Sequence, residues 1–114
     1  MRAPIVLLSV AAMAAVSWPL QAQQGGDPRH GLGFARDVCS GCHGIQARQV
    51  MSPNPRAPTF AEIAATPGMT SAALTVLMTT PHAGMPMFRL TAQQQADIIA
   101  YVRGLRQSEP TPRQ

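Results

Sequence analysis

The first periodic stretch of the chain follows a polar, glycine-rich segment. Small or apolar residues recur there at three- and four-residue steps, at Gly31, Phe34, Ala35, Val38 and Cys42. Such spacing places them on one face of a short amphipathic helix. The preceding residues 23–30 show no repeat of this kind, and their glycines and proline predict a flexible lead-in.

The clearest helix is predicted near the other end of the chain. An apolar stripe is formed by Ile98, Val102 and Leu105. The stripe predicts a helix over about residues 92–106. Thr91 and Gln94 can form a capping box at its start, in which each side chain bonds the other residue's backbone N–H.

Two shorter helices are predicted between these two. Thr59 and Glu62 have the spacing of a capping box, which predicts a helix of one or two turns after Thr59. Thr70 can cap a further helix over roughly residues 71–79. Pro81 ends that helix because its ring removes a backbone donor.

The remaining segments read as loops. Residues 45–58 contain three prolines, and residues 81–88 are rich in turn formers. The proline-containing residues 107–114 are expected to be a disordered tail. No stretch alternates like a half-buried strand, so we predict an all-α fold with three main helices and a short one. That fold occupies a single domain over residues 31–106.

The N-terminus has the pattern of a secretion signal. Arg2 precedes an apolar run over residues 5–16, and Trp18 to Ala22 resemble a cleavage region. We predict that residues 1–22 are removed as a signal peptide. The alternative is an uncleaved membrane anchor, but the run is short for a bilayer span of about 20 residues.

One five-residue motif carries the chemistry, and it reads Cys39-Ser40-Gly41-Cys42-His43. Cys-x-x-Cys-His is the attachment signature of a c-type haem. Two thiols at this spacing can each add to one vinyl group of a haem, and the next residue then supplies an imidazole to the iron. The motif therefore predicts one covalently attached haem c on Cys39 and Cys42, with His43 as an axial ligand.

Other uses of the two cysteines fit the sequence less well. A thioredoxin-type pair needs no histidine after the second cysteine and lies in a βαβ setting. A structural zinc site needs more ligands, usually a second cysteine pair, and the chain has only two cysteines. A simple structural disulfide between Cys39 and Cys42 is the remaining alternative.

The second axial ligand decides what such a haem does. Met85 and Met87 lie in an irregular segment just before the last helix, where a loop can cross a haem face. They are two residues apart, so in an extended loop only one points at the iron. Pro86 favours an extended backbone at Met85, and we therefore predict Met85, with Met87 as the alternative. His82 is a third candidate, although an exposed histidine bonded to a carbonyl is its more ordinary role.

The charge pattern excludes one class of partner. The chain is mildly basic, with nine basic residues against five acidic ones, and every basic residue is an arginine. These arginines form no cluster and are not interleaved with aromatic residues, so we predict no nucleic-acid binding.

Taken together, the residues resemble the class I (mitochondrial-type) monohaem cytochrome c family. The resemblance covers nearly all of residues 31–106. It is carried by Gly31, Phe34 and Ala35 before the motif, by Ala57-Pro58 after it, by Met85-Pro86, and by the closing residues Ile99-Ala100-Tyr101-Val102 and Leu105.

The resemblance implies a cytochrome c-like fold around one haem, with the first and last helices crossing near Phe34 and Tyr101. It also implies that the Pro58 carbonyl accepts a hydrogen bond from Nδ1 of His43, fixing the imidazole. The family's usual ring of lysines is missing here. Docking of partners would then fall to arginines, with Arg36, Arg48, Arg56 and Arg89 as candidates.

These inferences predict an exported, monomeric electron carrier in the periplasm rather than an enzyme. Its partners would be redox proteins, such as a dehydrogenase, an oxidase or a respiratory complex, with no stable membrane insertion after signal cleavage. One alternative is a haem subunit of a specific dehydrogenase or oxidase. A gas-binding or sensing haem protein is another, and it would need a vacant or labile sixth iron position.

Overall fold

The computed structural model describes residues 25–107, and the regular structure there is entirely helical. The elements are α1 (Pro28–Phe34), a π-helical turn (Ala35–Cys39) that continues it, α2 (Phe60–Ala65), α3 (Ser71–Thr79) and α4 (Ala92–Gln107). The predicted all-α fold, with three main helices and a short one, is confirmed. The predicted signal peptide and residues 108–114 of the predicted tail lie outside the described residues. No helix in the described part is long and apolar enough to cross a membrane.

The first helix begins at Pro28, three residues earlier than its apolar pattern predicts. The Asp27 side chain accepts a hydrogen bond from the backbone N–H of Arg29 at 2.8 Å. Pro28 then occupies the first helical turn, where its missing N–H costs nothing. Residues 28–30 of the expected flexible lead-in are therefore helical, because a local cap starts the helix before its apolar face does.

The three caps predicted for the later helices are present. In α2, the Thr59 hydroxyl accepts from the Glu62 N–H at 3.1 Å, and the Glu62 carboxylate accepts from the Thr59 N–H at 2.6 Å. Thr70 caps α3 through the N–H of Ala73 at 3.1 Å. The Thr91–Gln94 box at α4 is likewise reciprocal, at 2.9 and 3.1 Å. Local hydrogen bonding thus sets where these helices begin.

The core lies between α4 and the elements packed around it. Its buried apolar residues are Ala35, Ile45, Phe60, Ala64, Leu74, Ile98, Val102 and Leu105. Polar contacts from α4 add to this packing. The Arg106 guanidinium donates to the carbonyls of Ala64 and Thr66 at 2.6 and 2.9 Å, and so satisfies the C-terminal end of α2.

The first and last helices approach most closely at Gly31, one turn before Phe34. A Cβ atom at Gly31 would overlap the backbone of Asp97 and Ile98, so only glycine allows this approach. The Asp97 side chain, only 6% exposed, accepts from the Asp27 N–H and from the Gln93 amide, both at 2.7 Å. A buried carboxylate on α4 therefore helps to hold the start of α1.

Tyr101 joins α4 to the segment that follows the cysteine motif. Its hydroxyl donates to the carbonyl of Ile45 at 2.6 Å, across 56 residues of sequence. Burial raises the pKa of Tyr101 above its usual 10.0, although the positive charge of Arg36 lowers it somewhat. The neutral phenol is therefore the form that the folded state favours.

Replacing Gly31 with alanine is expected to lower the free energy of unfolding by about 1 to 3 kcal/mol, because the new methyl group overpacks the crossing. Gly33→Ala is the matched control in the same helix, since a Cβ there meets open space. The control is expected to leave stability unchanged or to raise it by up to about 1 kcal/mol. Denaturant unfolding of the haem-loaded protein measures both, and equal effects would contradict the close approach.

Tyr101→Phe is expected to lower the free energy of unfolding at pH 7 by about 1 to 2 kcal/mol, since it leaves the Ile45 carbonyl without its donor. The raised pKa adds a pH dependence. In the parent protein, this residue's contribution is complete below pH 10 and is lost as pH rises through the folded-state pKa. The difference in free energy of unfolding between parent and variant should therefore narrow in denaturant titrations above pH 10. A gap that stays constant with pH would contradict this role.

Candidate haem site

The cysteine motif begins at the last residue of the π-helical turn that continues the first helix. The Ser40 N–H donates to the Ala35 carbonyl at 2.9 Å, which is the wide turn that inserts one extra residue. The Cys39 carbonyl then accepts from the N–H groups of Cys42 and His43, at 3.1 and 2.9 Å. Cys39, Cys42 and His43 thereby follow one another on a single tight turn.

The His43 imidazole is held in one tautomer. Its Nδ1–H donates to the Pro58 carbonyl oxygen at 2.7 Å, since a carbonyl can only accept. The other ring nitrogen, Nε2, then keeps its lone pair, which is the form that binds a metal. The Phe60 ring packs against this imidazole at a centroid distance of 5.5 Å and further limits its orientation.

The backbone after His43 is fixed from several directions. The Gly44 N–H donates to the Ser52 hydroxyl at 2.9 Å, and the Gly44 carbonyl accepts from the Phe60 N–H at 2.8 Å. The Ile45 N–H donates to the Gln49 side chain at 3.0 Å. The irregular loop after the motif therefore folds back on it and orders the peptide that carries His43.

A cleft opens beside the motif. It consists of two adjoining cavities of about 480 and 270 Å³, a size typical of cofactor sites. Both cavities are lined by Val38, Cys39, His43, Pro58, His82, Met85 and Phe88. Cys42 lines the larger one. The structure thus brings Cys39, Cys42, His43, Pro58 and Met85, all singled out in the sequence, to one cleft.

The walls of the cleft suit a large apolar plate with an anionic edge. The smaller cavity is lined largely by apolar side chains of α3 and α4, among them Leu74, Leu77, Ile98 and Val102. No acidic residue lines either cavity, whereas Arg56 lines the larger one. A haem has an apolar ring and two carboxylates, so the residues present fit this group.

The two thiols match haem attachment better than thiol redox chemistry. Both cysteines are free, with Cys39 half-buried and Cys42 exposed. Burial raises the pKa of the Cys39 thiol from its usual 9.0 to about 11, whereas a redox-active pair needs a lowered value. In residues 25–107 no three or more His, Cys, Asp or Glu side chains are arranged so that they could hold a metal ion by themselves, so a structural zinc site finds no support there.

The two candidate methionines occupy different environments. Met85 lines both cavities and is half-buried. Met87 lines neither cavity, and its side chain is 53% exposed. His82 also lines both cavities, and its Nδ1–H donates to the Thr80 carbonyl at 3.0 Å. The cleft therefore contains Met85 and His82 but excludes Met87.

Three hydrogen bonds that support the site are not predicted from the sequence, where Tyr101 is named only for the family resemblance and the helix crossing. Tyr101 and Gln49 bond the backbone of Ile45, and Ser52 bonds the backbone of Gly44. Both backbone positions lie within two residues of His43. No local pattern marks a side chain that bonds a carbonyl far along the chain. The Asp27 cap of the first helix, by contrast, had a signal in the Asp27-Pro28 pair.

Comparison with known proteins agrees with this geometry. The sequence model of the Cytochrome c family matches residues 31–106. Cytochrome c-552 of Bradyrhizobium diazoefficiens is 34% identical to this chain over 80 residues, which cover 70% of this chain and 76% of that protein. No solved structure gives a significant match.

The family match begins at Gly31 and ends at Arg106, and so spans the cysteine motif and the whole cleft. The attachment cysteines, Cys39 and Cys42, are in place for covalently bound haem c. The function that follows from this cofactor is haem-based electron transfer. The chain belongs to the cytochrome c family.

Proposed function

We propose that this chain is a single-electron carrier whose haem iron is ligated by His43 and Met85. The observation that carries the proposal is that both residues line the same two cavities, while Met87 lines neither. A thioether ligand favours ferrous iron and raises the reduction potential, as an electron carrier requires. When bound, the haem supplies the one-electron couple, and the protein makes and breaks no substrate bonds.

His43 and Pro58 influence the reduction potential through the imidazole ligand. The hydrogen bond from Nδ1 to the Pro58 carbonyl orients the imidazole and increases its basicity, which tunes the iron. Phe60 and the hydrogen bonds around Gly44 keep that geometry fixed. A ligand that does not move between oxidation states keeps the structural rearrangement small, and electron transfer is then fast.

The apolar walls of the cleft also influence the reduction potential. Leu74, Ile98 and Val102 exclude water from the cleft, and a site of low polarity disfavours the more highly charged ferric state. Both the thioether and the apolar walls therefore raise the potential. The chain's own contribution is to hold, orient and shield the group.

Partner proteins are proposed to dock at the mouth of the cleft. Leu77 and Phe88 line it and are 41% and 39% exposed. Arg56 lies at the cleft, Arg89 follows Phe88, and both side chains are exposed. A small apolar contact surface with two arginines beside it suits brief encounters with an acidic redox partner.

The segment before residue 23 is proposed to direct export to the periplasm, where the protein acts as a monomer. A specific dehydrogenase or oxidase that keeps this chain as its haem subunit is the alternative. Chromatography of the native extract by size distinguishes the two. A free carrier elutes at its own mass, whereas a subunit elutes with its enzyme.

The ligand assignment predicts an optical signature of the haem-loaded protein. The oxidised form is expected to show the weak near-red band of a sulfur–iron bond, and the reduced form is expected not to respond at once to carbon monoxide. Met85→Ala should abolish the band and lower the potential, because the soft thioether is lost. Met87→Ala is the matched control and should change neither. Loss of the band in Met87→Ala alone would transfer the assignment to Met87.

The docking proposal predicts a charge-dependent rate. Arg56→Gln should slow electron exchange with ferricyanide about two- to fivefold at low salt and speed exchange with a cationic cobalt complex, because one positive charge is removed. The ratio of the two rates removes any effect of a changed potential. Arg29→Gln is the control, since Arg29 pairs with Asp27 and lines neither cavity. Equal ratios in both variants would contradict docking at Arg56.

A further inference from the structure

The turn that carries Met85 carries a second possible iron ligand. His82 and Met85 are joined by a hydrogen bond from the Met85 N–H to the His82 carbonyl at 3.4 Å. Gly84, with φ of 83°, closes the turn between them. Both residues line both cavities, and His43 does so as well. Two donors therefore face the same cleft from a single turn.

His82 is held in the same electronic state as His43. Its Nδ1–H donates to the Thr80 carbonyl at 3.0 Å, as that of His43 donates to the Pro58 carbonyl. Each bond leaves Nε2 with a lone pair available to a metal. His82 thus has the tautomer that an iron ligand needs.

The turn is held by few backbone hydrogen bonds. Among the described residues, one backbone–backbone hydrogen bond lies within residues 81–90, from Met85 to His82, and no bond of this kind joins the segment to the rest of the fold. The His82 side chain adds one hydrogen bond, to the Thr80 carbonyl at the end of α3. A Cβ at Gly84 would meet no neighbouring atom. Segments with few hydrogen bonds and exposed backbone move at low free-energy cost.

We propose that His82 is a reserve ligand, which would bind the haem iron when Met85 does not. The proposal rests on the His43–Met85 ligation proposed above. Imidazole is a harder donor than a thioether and suits ferric iron better. The exchange therefore favours the oxidised protein and keeps small ligands out of the cleft after Met85 is lost.

The test compares haem-loaded variants that lack Met85. Met85→Ala is expected to keep a low-spin ferric spectrum and to resist rapid binding of carbon monoxide after reduction, because His82 fills the position. Met85→Ala with His82→Ala should instead be high-spin and bind carbon monoxide at once. Met85→Ala with His30→Ala is the matched control, since His30 lines neither cavity, and it should behave like Met85→Ala.

Two outcomes would overturn the proposal. A high-spin Met85→Ala protein, indistinguishable from the double variant, would show that His82 does not reach the iron. A parent protein without the near-red band, whose spectrum changes on His82→Ala alone, would make His82 the resident ligand and would also end the Met85 assignment. If Met85→Ala yields no haem-loaded protein, Met85→Leu keeps the side-chain volume and serves the same comparison.

Discussion

The hydrogen bond from His43 to the Pro58 carbonyl is the contact on which the site depends. It joins the cysteine motif to the loop that follows and leaves one ring nitrogen free for a metal. Because the acceptor is a backbone atom, the contact is kept only if the loop itself is in place. The loop is held by its own Ser52 and Gln49 and by the start of α2, so the orientation of one imidazole depends on both the loop and α2.

Contacts between the first and last helices hold the segment that leads into this loop. Gly31 lets the first helix approach α4 closely, and Asp97 fixes the start of that helix. Tyr101 of the same α4 then reaches the Ile45 carbonyl, two residues after His43. One helix therefore contacts both ends of the segment that bears the motif. In a domain this small, a few such long-range contacts and a covalent cofactor compensate for a limited core.

What could be predicted from the sequence was local. The caps at Thr59, Thr70 and Thr91 act over three residues, and each predicted helix start agrees with the structure. The start of the first helix was predicted too late because the apolar pattern begins after the Asp27 cap. The bonds of Asp97 and Tyr101 join residues 70 and 56 positions apart, and no local pattern encodes them. Cys39, Cys42, His43 and Met85 could be singled out from motif and position in the sequence, whereas the apolar walls of the cleft could be identified only from the fold.

The two sides of the cleft differ in how firmly they are held. Around His43, backbone and side-chain hydrogen bonds come from the loop, α2 and α4. Around Met85, the described residues offer one turn bond at 3.4 Å, the bond from the His82 side chain to the Thr80 carbonyl, and the packing of Leu90 against the core. Bound haem would therefore order the second side more than the first. We therefore propose that the fold fixes the iron ligand on the His43 side, whereas on the Met85 side the ligand is the donor that binds iron more strongly.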